Sequence, residues 1–157
     1  MANISKRSRS MKFLLDLMLG RLAKWLRIMG YDTYYQSKYK LDELYELSRD
    51  RIFITKNKAL SAKLKGILLT SNNIEEQLKE LKEKLNLTQK SDTWFSRCII
   101  CNTELKKADP QWAQEFVPEY VYIENKNKIK FCPVCKKFYW PGTHRQNMIK
   151  KLKDLGF

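Results

Sequence analysis

Four times between residues 13 and 85 a short apolar run gives way to an amphipathic stretch. The runs are 13–15 (FLL), 31–35 (YDTYY), 51–55 (RIFIT) and 67–70 (ILLT). Apolar runs alternating with helical patterns predict βαβ units, hence an α/β parallel sheet with helices on both faces. In the first helical stretch Leu19, Leu22, Ala23, Leu26 and Met29 recur at helical spacing. Gly30 suits the left-handed residue that ends a helix. Residues 41–49 make a second helix with Asp42 and Glu43 in its first turn, where the helix dipole favours acids. A Lys-rich helix runs to about Leu64, and residues 74–85 align Ile74, Leu78, Leu81 and Leu85.

The first apolar run ends on Asp16. In an open parallel sheet that edge is where ligands bind. Asp16 is therefore either a site acid or the cap of the helix that follows. On that helix Arg21, Lys24 and Arg27 recur every three residues, as a solvated face or as a phosphate-binding stripe. Charge bears on the choice: 31 Lys and Arg against 17 Asp and Glu leave +14. Such an excess favours a polyanionic partner through counterion release, although it also serves solubility. A membrane partner is disfavoured, since no apolar run approaches the roughly 20 residues of a spanning helix. Residues 13–18 lack the pattern of a signal peptide, being interrupted by Asp16. Residues 1–12 are polar and basic without periodicity, as in a flexible arm.

After residue 93 the composition changes. The four cysteines fall as Cys98-x-x-Cys101 and Cys132-x-x-Cys135. Paired thiols without a secretory signal indicate metal binding in a reducing compartment, most simply the cytoplasm. Four thiolates close the tetrahedron of a zinc ion, so the metal would be structural. Thirty residues separate the pairs, which suits a zinc ribbon whose intervening segment, including the β-prone 121–123, forms strands. Lys136, Lys137, Tyr139, Trp140, His144 and Arg145 interleave cations with aromatic rings. That pattern fits a surface that neutralises phosphates and stacks bases, or rings that pack onto the first domain. His144, the sole histidine, is then a surface or RNA-contacting group, or a neighbour of Trp140. The expected organisation is a basic arm at 1–12, an α/β domain at 13–93, and a zinc ribbon at 94–157 ending in a basic helix over 148–155.

Several stretches together resemble the Mut-seven C-terminal ribonuclease domain family. They are FLLDLMLGRLAKWLRIMGYDTYY, the LDEL helix start, RIFITKNKAL, the Glu76-Gln77-Leu78 triplet, RCIICNTEL and FCPVCKKFYWPGTHRQNM, in the family's order. The resemblance implies a PIN-like nuclease fold followed by a small four-cysteine zinc ribbon. It also implies a metal-dependent ribonuclease holding Mg²⁺ or Mn²⁺ on carboxylates at the sheet edge. By position those acids are Asp16 and Asp42, with Glu43 beside the latter. The third family acid follows the strand RIFIT, where Thr-Arg-Asp is replaced by Thr55-Lys56-Asn57. Asn57 brings an amide oxygen but no charge, Asn72 and Asn73 add none, and Lys56 and Lys58 add positive field. The expectation is an RNA-binding protein with a degraded acidic site and weak or no cleavage, acting in RNA processing or on the ribosome. Its RNA would be ribosomal or transfer RNA, within a ribonucleoprotein complex. The alternative is an active Mg²⁺- or Mn²⁺-dependent endoribonuclease. A protein-interaction scaffold would not need the basic excess.

Overall fold

A computed structural model describes residues 11–87 and 91–157. The expected basic arm lies almost wholly outside the described residues. Its last two residues do not belong to it: Met11 packs against the core and Lys12 opens the first strand.

The first half is β1 (Lys12–Leu15), α1 (Gly20–Ile28), β2 (Asp32–Tyr35), α2 (Leu41–Leu47), β3 (Ile52–Thr55), α3 (Lys58–Leu64), β4 (Ile67–Leu68) and α4 (Ile74–Leu85). The four strands form one parallel sheet in the order β2-β1-β3-β4. Successive strand residues feed opposite faces. Phe13 and Leu15 enter a core with Leu22 and Leu26 of α1 and Leu78 and Leu81 of α4. Leu14, between them, enters a second core with Leu44 and Phe53, against which Leu60 and Leu64 pack. Coverage of both faces is why these strands read as continuous apolar runs rather than as alternating ones. Phe13, Leu14 and Leu15 are fully buried, and each contributes roughly 1.5–3 kcal/mol by leaving water.

The chain then turns back onto the same core. Gly30 has φ +91°, and a Cβ there would lie 2.4 Å from the Thr93 carbonyl oxygen. Only glycine supports both the left-handed backbone and this approach. The short 3₁₀ turn Ser91–Thr93 thus presses on the end of α1, and the Phe95 amide donates to the Ile28 carbonyl at 2.7 Å. Leu87 and Trp94 are buried in the first core.

The second half contains β5 (Lys106–Lys107), α5 (Pro110–Ala113), α6 (Glu119–Asn125), β6 (Lys130–Phe131), β7 (Phe138–Tyr139) and α7 (Thr143–Asp154). β5, β6 and β7 form a small antiparallel sheet. The segment between the cysteine pairs supplies β5 and β6, as expected of a ribbon, but its middle, with the β-prone 121–123, forms the helices α5 and α6 instead of strands. Asp109 caps α5 with Pro110 in its first turn, and Pro118 opens α6. In a strand Val121 and Ile123 would share a face; here Val121 is buried and Ile123 is 69% exposed, as a helix allows. Val121 packs with Ala108, Ala113, Val117 and Ile129 in a separate cluster. The C-terminal helix is longer than expected. It buries Leu152 in the first core, with Met148, Ile149 and Leu155 packed against it. Among the described residues no helix is long and apolar enough to cross a membrane.

Candidate functional site

Asp16 lies just beyond β1, at the C-terminal edge of the parallel sheet. Its amide donates to the Ile54 carbonyl at 3.0 Å, continuing the β1–β3 ladder. Its carboxylate is buried and doubly engaged. Oδ2 accepts from the Thr55 hydroxyl at 2.6 Å and Oδ1 from the Leu17 amide at 2.7 Å. It does not cap α1, whose N-cap residue is Leu19, without a side-chain cap. Thr55 Oγ1 also accepts from the Asn57 amide at 2.9 Å, so Asp16 and the turn after β3 share one hydrogen-bonded chain.

The other expected acidic-edge residues are placed differently. Asn57 Oδ1 accepts from the Leu60 amide at 3.1 Å and caps α3. Asn73 caps α4 in the same way. The Lys56 ammonium donates to Asn72 Oδ1. Asp42 and Glu43 open α2, with Asp42 exposed. Among the described residues, Asp16, Asp42 and Glu43 do not come close enough to form a three-donor set for one ion. An acid not anticipated from the sequence stands beyond β4. Glu80 Oε1 accepts from the Ser71 hydroxyl at 2.9 Å and from the Thr70 and Ser71 amides at 3.1 Å, while Oε2 accepts from the Lys84 ammonium at 2.7 Å. Burial opposes its ionisation, but these donors prevail and hold its carboxyl down at about 2. The Glu80–Lys84 spacing of four was the one signal of a fixed charge there.

The two cysteine pairs come together. All four sulfurs lie within 4.8 Å of one another. A zinc–thiolate tetrahedron with bonds of about 2.3 Å has sulfur–sulfur edges of about 3.8 Å. Cys98 to Cys135 spans 3.9 Å and Cys101 to Cys132 spans 3.4 Å, so the cluster fits one such ion. The backbones of the two pairs repeat each other. The Asn102 amide donates to the Cys98 carbonyl and the Lys136 amide to the Cys132 carbonyl, both at 2.9 Å. Both residues are left-handed, with φ of 74° and 59°. The four cysteines are thus close enough to hold one metal ion, and their chemistry is compatible with structural zinc. The Tyr139 hydroxyl sits 3.1 Å from Cys98 Sγ, beside the sulfur cluster.

Arg27 joins this cluster to the sheet. It is buried, so it does not belong to an exposed basic stripe with Arg21 and Lys24. Nε donates to the Thr33 carbonyl, and Nη1 donates to the Ile99 and Ile100 carbonyls, all at 3.0 Å. Burial lowers its basicity, and the Cys101 and Cys98 thiolates work the other way. Asn102 adds a second clasp, accepting from the Thr33 amide at 2.9 Å and donating to Asp32 Oδ1 at 2.7 Å. Burial raises the Asp32 carboxyl, yet its bonds to Arg51 and Asn102 bring it below the usual range.

The remaining cations named from the sequence, Lys56 apart, divide between four places. Arg21 and Lys24 are exposed on α1, Lys58 is exposed at the start of α3, and Lys136 is exposed on the second cysteine turn. Lys137, Tyr139, Trp140, His144 and Arg145 line one cavity of about 390 Å³. Trp140 packs against the Val121 cluster, not on the sheet domain.

Searches of curated proteins and of solved structures give no significant match. The profile of the Mut7-C RNAse domain matches residues 11–152, nearly the whole chain. The parallel sheet with Asp16 at its edge, joined to a four-cysteine cluster, belongs to that match, and the chain is a member of the Mut7-C RNAse domain family, with the ribonuclease-like, RNA-related role the family carries.

Proposed function

We propose that this chain is an RNA-binding protein on a ribonuclease fold whose acidic edge supports weak or no cleavage. Its work lies in RNA processing or on the ribosome, in the cytoplasm, with ribosomal or transfer RNA and within a ribonucleoprotein complex. The observation that carries the reading is Asn57. The position after β3 brings no charge, and its amide oxygen is engaged as the cap of α3. A hard divalent cation takes about six oxygen ligands, several of them usually anionic. This edge offers one buried carboxylate, Asp16, with both oxygens already accepting hydrogen bonds. The donor set does not fit Mg²⁺ or Mn²⁺ well, and no catalytic step is assigned to either.

Binding rests on charge. Arg21, Lys24, Lys56, Lys58, Lys136, Lys137 and Arg145 supply cations, with Tyr139, Trp140 and His144 among them. Each phosphate neutralised releases counterions, so affinity falls with salt at a log–log slope of roughly −0.7 per contact for single strands. Cys98, Cys101, Cys132 and Cys135 hold structural zinc, which fixes the ribbon's fold.

The second reading, an active Mg²⁺- or Mn²⁺-dependent endoribonuclease, is favoured by the family and by Asp16 at the ligand-binding edge. There Asp16 and Asp42, with Glu43 and the Asn57 oxygen, would hold the cation, which supplies charge against the scissile phosphate. One experiment separates the two. The protein is pulled down with its RNA from its own cells, and that RNA is incubated with pure protein and Mn²⁺ beside an Asp16→Asn control. Salt-sensitive binding with little or no cleavage is expected. Cleavage that disappears in the control establishes the nuclease instead.

A further inference from the structure

The cavity between the ribbon and α7 is of a different kind from the acidic edge. It is about 390 Å³, within the range that holds small ligands, and its floor includes Ile28, Ile99, Leu105 and Met148. Arg97, Lys128, Lys130, Lys137 and Arg145 line it together with His144, and no aspartate or glutamate does. Among these cations only Arg97 has a carboxylate partner among the described residues, Glu104 at 3.3 Å. Arg145 is half-buried, its guanidinium 4.5 Å from the centre of the Phe95 ring, and burial lowers its basicity. A cation held in a partly dry cleft without a counter-charge is costly unless an anion arrives. Four aromatic rings face the same space. Phe95 is covered by Arg145, Tyr139 has Lys137 at 5.5 Å, and Phe138 stacks on Phe116. Trp140 has no ring or cation on its face among the described residues, and its indole N–H has no protein acceptor there. Gly142 abuts that indole, a Cβ there lying 3.7 Å from Cδ1.

We infer that this cleft takes one unpaired nucleotide of single-stranded RNA, the base stacked on Trp140 and its phosphate on Arg145 and Lys137. Apolar walls and the half-exposed Trp140 ring suit a base, and cations without a carboxylate partner suit its phosphate. The inference rests on the RNA-binding reading and adds to it a discrete pocket, at the ribbon rather than at Asp16.

The zinc-loaded full chain is titrated with a short oligouridylate and, separately, with uridine and adenosine 5′-monophosphates, following tryptophan fluorescence. Inorganic phosphate serves as the anion control. Arg145→Gln and Trp140→Leu are compared with Lys63→Gln, an exposed lysine of α3 outside the cleft, each checked for zinc content and melting temperature. Loss of a base stack or of a charged phosphate contact weakens binding by about tenfold or more. Oligouridylate affinity is expected to fall that far in Arg145→Gln and Trp140→Leu, with the monophosphates competing and phosphate competing poorly. Affinity within twofold of the wild type in both cleft variants overturns the pocket and leaves RNA binding standing. Competition by phosphate equal to that by nucleotides overturns it too, marking an anion site only. A wild-type chain that binds no oligouridylate overturns the RNA-binding reading, and the cleft is then decided by the monophosphates alone.

Discussion

Replacing Arg27 by methionine tests whether this residue clamps the cysteine cluster or contacts RNA. The guanidinium gives three hydrogen bonds to carbonyls of β2 and of the first cysteine turn, at 3.0 Å each. Methionine fills much of the same volume but donates nothing. The Thr33 carbonyl is buried and the other two partly so, and each left without its donor costs about 1–1.5 kcal/mol, or about 3–4.5 kcal/mol for the three. Removing a buried charge returns part of that, since its desolvation cost also disappears. A net loss of about 2–3 kcal/mol is expected, equivalent to a fall of roughly 5–10 °C in melting temperature for a chain this size. Urea unfolding followed by tryptophan fluorescence measures the loss, and a chromogenic chelator in the same samples reports the metal. The urea midpoint should drop, with zinc released earlier, because the Ile99 and Ile100 carbonyls belong to the turn that carries Cys98 and Cys101. RNA affinity of the folded variant should stay within about twofold of the wild type. Unchanged stability with weakened RNA binding would falsify the clamp and return Arg27 to the basic stripe.

Cys132→Ser removes a fully buried ligand, so bound zinc should fall and the C-terminal half lose protection in hydrogen exchange; unchanged metal content by atomic absorption would count against a shared site. Glu80 has a depressed carboxyl, so its stabilisation is complete above its ordinary value of 4.5 and is lost as pH falls through about 2. Glu80→Gln should therefore be less stable than the wild type at neutral pH, and the difference in urea midpoint should shrink between pH 4.5 and 2; a difference independent of pH would refute it. Gly30→Ala should cost at least about 2 kcal/mol, from left-handed strain and the clash with Thr93, checked by thermal melting. Asn57→Asp should raise Mn²⁺ affinity by calorimetry if Asp16 and the α2 acids can converge, and no change would argue that the site is dismantled.

Much of the fold could be read from local patterns, because buried faces impose periodicity. The runs at 13–15 and 51–55 and the helix at 74–85 lie close to where their apolar spacing put them. The cysteine cluster was equally legible, since a turn with two thiols three residues apart has few other uses. What was not legible depended on tertiary contact. Arg27 sits in register with Arg21 and Lys24, but it lies near the end of α1, where the cysteine turn covers it. No spacing rule separates a solvated arginine from one that folds back onto backbone carbonyls. The stretch at 121–123 is β-prone by composition, yet Pro118 and a single buried residue, Val121, favour a short helix over a strand. Asn57 was visible as an uncharged residue after β3, but its capping of α3 depends on where that helix starts.

The contacts also place the two candidate regions at opposite ends of the sheet. β1 and β2 are parallel, so α1 must run back against them, from the Asp16 edge to the edge where β2 begins. The cysteine turn clasps that far edge, through Arg27, Asp32 and Asn102. The cleft reaches it too, since Ile28 at the end of α1 lines its wall. Nine helical residues separate the ends of α1, about 13 Å at 1.5 Å per residue. The clasped ribbon turn thus stands at the far end of α1 from Asp16 and adds no ligand to that edge. An RNA strand held in the cleft and also presented to Asp16 has to span the length of α1, whose exposed residues include Lys24 and Arg21. On the proposed RNA-binding reading, Arg21 and Lys24 of α1 would be the track between the cleft and the Asp16 edge.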